Sequence, residues 1–86
     1  MLSDRPQVEP GLEVNEVRDG LTVFDSVADR IHYLNQTAAI VFTLCDGRRS
    51  VSDMAAFLAE AFKLEEPPLN EVQECVGQLV RLGLIR

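Results

Sequence analysis

The sequence has no excess of cations, no metal-spaced cysteines and no long apolar run, and each shortage removes a class of function. Basic residues number 8 against 14 acidic ones, a formal charge of -6. A nucleic-acid binder needs a clustered positive surface, because release of counterions from phosphate drives that binding. Cys45 and Cys75 are the only cysteines and His32 is the only histidine. Without a CxxC pair, a metal centre lacks its usual ligand set, so neither metal nor cofactor is expected. Both cysteines fall on the apolar sides of expected helices. They read as reduced core thiols, with a disulfide or redox pair as the other reading. Residues Met1 to Gly11 lack the apolar core of a signal peptide, and no stretch approaches the about 20 residues that span a bilayer. A cytoplasmic location with no membrane contact is the default expectation.

Catalytic groups are equally scarce. An activated nucleophile needs a base beside it and a third group to orient that base. Ser3, Ser26, Ser50 and Ser52 fall in an arm, a turn and a helix start, with no elbow motif around them. Glu65, Glu66, Glu71 and Glu74 read as a solvated face and as favourable charges near a helix start. No glycine-rich phosphate loop occurs. His32, between Ile31 and Tyr33, reads as a half-exposed strand residue without a catalytic task. A protein that is not an enzyme is expected.

What the chain does contain is ample apolar material. At 86 residues and 47% apolar it can build one small globular domain. Residues 1–10 hold Pro6 and Pro10 and no periodicity, which predicts a flexible N-terminal arm, with the folded domain over 11–86. Strands are expected over Leu12–Arg18, Leu21–Asp25 and Arg30–Leu34. Asp19-Gly20 is a hairpin signal, and Ser26–Asp29 is also of hairpin length. The result is an antiparallel meander whose first and third strands are both edges.

Three helices follow. Asn35 is a good N-cap for a helix over about Gln36 to Cys45. That helix carries Ala38, Ala39, Ile40, Val41, Phe42 and Leu44, is apolar on nearly every side and so belongs inside the fold. After the Asp46-Gly47 turn, Ser50-Val51-Ser52-Asp53 forms a capping-box pattern with Asp in place of Glu. Val51, Met54, Phe57, Leu58, Ala61 and Phe62 then keep the spacing of a one-sided helix. A third helix runs from Pro68 or Leu69 to Leu82, with Gly83 as its left-handed terminator. Its apolar set, Leu69, Val72, Cys75, Val76, Leu79, Val80 and Leu82, covers about 160° of the circumference. One packing face needs only about 100°. The surplus faces either the sheet or something from outside. The fold class expected is α+β, a three-stranded antiparallel sheet followed by a three-helix bundle, winged-helix-like in order.

That order permits a DNA-binding regulator, which would push a helix with cationic or amide side chains into the major groove. The polar face of the third helix offers Asn70, Glu71, Gln73, Glu74, Gln78 and Arg81, two carboxylates against one guanidinium, which repels phosphate. A groove reading fits better. The third strand, as an edge, displays unpaired N–H and C=O groups that a soluble protein must cover or use. With the third helix alongside, an extended peptide can add as a further strand and drop alternate side chains towards the helix. About five ladder bonds at about 1 kcal/mol each, with about 300 Å² of apolar surface at about 25 cal/mol per Å², exceed the ordering cost enough for micromolar affinity. Arg30 at the rim could pair with an acidic peptide. A purely structural interaction partner is the third reading.

The run Leu34-Asn35-x-Thr37-Ala38, then Asp46-Gly47-Arg48-x-Ser50-Val51, then Leu79-x-x-Leu82-Gly83-Leu84-Ile85 resembles the PqqD-like peptide chaperones. These are also described as recognition elements of ribosomally made, post-translationally modified peptides. The likeness extends over about Leu12 to Ile85. It implies a three-stranded sheet on three helices, and capture of a precursor's leader peptide between the third strand and the third helix. It also implies delivery to a modifying enzyme, often a radical SAM protein, in the synthesis of pyrroloquinoline quinone or another modified peptide. Carried over by position, the leader site would involve Arg30, Ile31, His32, Tyr33 and Leu34, with Val72, Cys75, Val76 and Leu79. Both monomer and homodimer stay open, because a bare edge can also pair with its twin.

Overall fold

The computed structural model describes residues 5–86. Alternating apolar residues build β1 (Leu12–Val17), β2 (Gly20–Asp25) and β3 (Arg30–Asn35), an antiparallel sheet in the order β1-β2-β3. Val17 pairs with Gly20 across the two-residue turn Arg18-Asp19, and Gly20 pairs in turn with Asn35. Only glycine fits there: a Cβ on Gly20 would run into the carbonyl oxygen of Leu34. Leu21, Val23 and Leu34 are buried on the inner face of the sheet, as a period of two along a half-covered strand requires.

The helices are α1 (Gln36–Leu44), α2 (Val51–Ala61) and α3 (Leu69–Arg81). They depart from the expected bounds by about one residue at their ends, as fraying helix termini do. The Oδ1 of Asn35 accepts the Ala38 N–H at 2.9 Å, so the last residue of β3 is also the cap of α1. This leaves no linker between strand and helix. α1 packs on β2, β3 and α3 with Ala39, Val41, Phe42 and Leu44 buried, and α2 packs on α3. The α2 capping box forms as expected: Ser50 Oγ accepts the Asp53 N–H at 3.1 Å and Asp53 accepts the Ser50 N–H at 3.0 Å. At the end of α3, Gly83 (φ +77) turns left-handed; its N–H donates to Val80 at 2.9 Å and the Leu84 N–H donates to Leu79 at 3.0 Å. That turn folds Leu84 and Ile85 back into the core.

The N-terminal segment differs from the loose arm expected over residues 1–10. Residues 1–4 lie outside the described residues. Pro6 is buried, Gln7 and Arg86 exchange backbone hydrogen bonds at 2.8 Å, and Val8 and Glu9 donate to Cys45 and Leu84 at 3.0 and 2.9 Å. The segment ties the end of α1 to the C-terminus. Its partners lie far along the chain, so no local period could reveal the contact.

Gly20→Ala is expected to destabilise the domain by about 1–3 kcal/mol, read as a lower urea midpoint with an unchanged slope. Ser50→Ala should cost about 1 kcal/mol in the same assay. The Ser50 amide holds the Asp53 carboxyl below its ordinary value of 3.8. Its contribution is therefore present above that value and disappears as the pH falls through the lower folded value.

Candidate functional site

The register divides β3 cleanly between two faces. His32 lies opposite Val23 and Leu34 opposite Leu21 on the inner face, while Ile31 opposes Phe24 and Tyr33 opposes Thr22 on the outer one. Ile31 is 71% exposed and Leu34 only 4%. The second edge of β3 has no partner strand among the described residues. β1 is the other edge, but it carries two exposed carboxylates, Glu13 on the outer face and Glu16 on the inner one, a charge pattern that discourages further pairing. β3 has no such carboxylate, and a helix stands nearby.

That helix is α3. A cavity of about 140 Å³, the size of one bulky side chain, opens between the end of β3 and the C-terminal half of α3. Tyr33, Leu34, Asn35 and Ala38 form one wall, and Cys75, Gln78, Leu79 and Leu82 form the other. Cys75, Gln78 and Leu79 of α3 and its C-cap Leu82, which keeps helical backbone, follow i, i+3, i+4, i+7 and so share one stripe. Leu82 remains 41% exposed at its mouth. The surplus apolar arc of α3 thus faces an open space beside the strand.

Of the nine residues expected at the site, the structure brings Tyr33, Leu34, Cys75 and Leu79 together around the cavity. Val72 and Val76 are 1% and 0% exposed. They sit on the core side of α3 and support the wall from behind instead of lining it. Ile31 belongs to the outer face. The Tyr33 hydroxyl donates to the Asp19 carbonyl at 3.2 Å, so its ring reaches across the sheet towards the β1–β2 turn. Arg30 is exposed at the far end of β3, with no carboxylate within ion-pair distance among the described residues. His32 is half-buried, and its Nε2 is enclosed without a hydrogen-bond partner. Sequence reasoning missed Asn35, Ala38, Gln78 and Leu82 as lining residues. Leu82 carried a signal, since it stands seven positions after Cys75. Asn35 and Ala38 join only because the strand runs straight into α1.

The thiols are not activated. Cys45 caps the end of α1, its Sγ donates to the Val41 carbonyl at 3.1 Å, and burial pushes its pKa to about 12, with the nearby Cys75 and Asp46 charges adding to the rise. Burial also raises Cys75. A thiolate is the reactive form, so neither residue is a ready nucleophile. Asp46 moves the other way, because its carboxylate accepts the Arg48 N–H at 2.9 Å and faces Arg49.

A wider hollow of about 630 Å³ lies beneath the β1–β2 turn, where Leu21, Ile40 and Phe57 line it. It meets the opposite face of α1 and borders no part of β3. On α3 the exposed polar residues Asn70, Glu71, Gln73, Glu74, Gln78 and Arg81 keep their acidic balance, which disfavours a phosphate backbone. Among the described residues no helix is long and apolar enough to cross a membrane.

The family model described as Coenzyme PQQ synthesis protein D (PqqD) matches residues 20–85, from the first residue of β2 to Ile85. Comparisons with curated proteins and with solved structures give no match.

Iodoacetamide at pH 8 should alkylate Cys75, in the cavity wall, well before the sealed Cys45, as read by mass spectrometry of the digested protein. Labelling of Cys45 first would contradict the cavity described.

Proposed function

The chain belongs to the PqqD family, and on that premise we propose that it is a non-catalytic peptide carrier. It captures the leader of a ribosomally made precursor by strand addition to β3 and presents it to a modifying enzyme. The family description points to coenzyme PQQ as the product. A radical SAM protein is the enzyme class proposed. Precursor, carrier and enzyme would then meet in the cytoplasm.

One observation carries this reading: the bare edge of β3 runs into the cavity that Leu34 shares with Cys75, Leu79 and Leu82. An added strand would satisfy backbone groups along that edge while one inward side chain fills the cavity. Ladder bonds give affinity and the pocket gives selectivity. A side chain of leucine or phenylalanine size contributes about 1.5–3 kcal/mol when fully buried. The same edge explains why the oligomeric state bears on function. A second copy paired through β3 would compete with the peptide for the same backbone groups, so carrier and ligand are best matched when the protein is monomeric.

Titration with the leader of a precursor encoded beside this gene should shift the backbone amides of Arg30–Asn35 and of the Cys75–Leu82 stripe, and leave α2 unchanged. Leu82→Asp, at the exposed mouth, should weaken binding about 10-fold or more. Circular dichroism should remain unaltered. Leu79→Asp is a poorer probe, since Leu79 is buried and its loss confounds binding with unfolding. Binding to duplex DNA that falls steeply with salt, with no response of β3 to peptide, would sink the proposal.

A further inference from the structure

Every buried side-chain nitrogen and oxygen among the described residues finds a partner except Nε2 of His32. An unpartnered buried polar atom loses its hydration without gaining a hydrogen bond, and such atoms are few enough in folded proteins that each calls for a reason. The fold itself supplies none. On the inner face His32 continues the row Val14, Val23, where an apolar side chain would extend the packing at no such cost.

Position supplies the reason. His32 stands in the middle of β3, two residues before Leu34, with Val23 on one side and the bare edge on the other. A strand added at that edge places one residue directly opposite His32, with Cβ atoms about 4.5–5.5 Å apart. Its next inward residue, two positions along, lies at the level of Leu34 and the cavity. As a residue His32 is only half-buried, and its Cβ–Cγ bond is a soft two-fold torsion that lets the ring reorient when a strand is added.

We propose that His32 is the polar reading position of the groove: Nε2 hydrogen-bonds a hydroxyl or carboxamide side chain of the captured peptide, two residues from the apolar one that fills the cavity. This rests on the peptide-carrier reading and gives its ligand a chemical pattern. A neutral imidazole nitrogen either donates or accepts according to tautomer, and Ser, Thr, Asn and Gln can answer either way. An apolar residue at that position leaves Nε2 unpaired and now shut away from water by the added strand. The groove therefore selects a bulky apolar residue and a small polar one spaced by two, which a uniformly apolar strand fails to match.

The test starts from random dodecapeptides displayed on phage and selected on the wild-type protein, with the enriched peptides resynthesised. The expected enrichment is an apolar residue with Ser, Thr, Asn or Gln two positions away. Replacing that polar residue with Val should weaken binding to the wild type about 10-fold, a measurement that leaves the protein untouched. His32→Phe should melt at or above the wild-type temperature, bind the parent peptide about 10-fold more weakly, and show no further loss with the Val peptide. His32→Gln should stay within about 3-fold of wild type. Equal binding of both peptides by the wild type, or equal losses for both in His32→Phe, would overturn the assignment while the carrier reading stands. Selected peptides that leave the β3 amides unshifted would remove the carrier reading and this inference together.

Discussion

Backbone hydrogen bonding at the edge of β3 is the constraint around which the rest of the molecule is arranged. A strand that is paired on one side only leaves N–H and C=O groups facing water, and a soluble protein blunts or uses them. β1 is blunted by Glu13 and Glu16. β3 instead ends beside a cavity walled by Cys75, Gln78, Leu79 and Leu82. An open edge with a cavity at its end is the geometry on which the proposed capture of an extended backbone rests. The acidic α3 surface and the lack of activated thiols add no competing chemistry.

The junction at Asn35 fixes where that cavity forms. One residue closes β3 through its pairing with Gly20 and starts α1 through its side-chain oxygen. The helix therefore leaves the sheet at a set angle, and its buried residues hold it against β2, β3 and α3. Val72 and Val76 then anchor α3 in the core, which orients the Cys75–Leu82 stripe towards the strand. The residues that line the site and the residues that hold it in place thus alternate on the same helix. Val72 and Val76, the two valines expected at the groove, therefore face the core.

The termini contribute rigidity from a distance. Residues 6–9 bridge the end of α1 and the returning Leu84–Arg86. Because residues 6–9 pair there, they do not occupy the β3 edge. Among the described residues the one unpaired buried side-chain nitrogen, on His32, sits on the strand left open. Polar satisfaction elsewhere makes that exception informative.

Local chemistry was legible in the sequence because it depends on neighbours. The hairpin at Asp19-Gly20, the Asn35 cap, the Ser50–Asp53 box, the Gly83 terminator and the surplus apolar arc of α3 all follow from spacing of a few residues. Choosing the lining residues required tertiary structure. Whether Val72 or Leu82 meets the cavity depends on the rotation of α3 about its axis, which is set by the residues it packs on in α1 and α2. Asn35 and Ala38 enter the site through the direct strand-to-helix join, and Pro6 to Glu9 are ordered by partners at the other end of the chain. Periodicity along one chain tells which side of a helix is apolar, but only packing in three dimensions decides how much of that side is already covered.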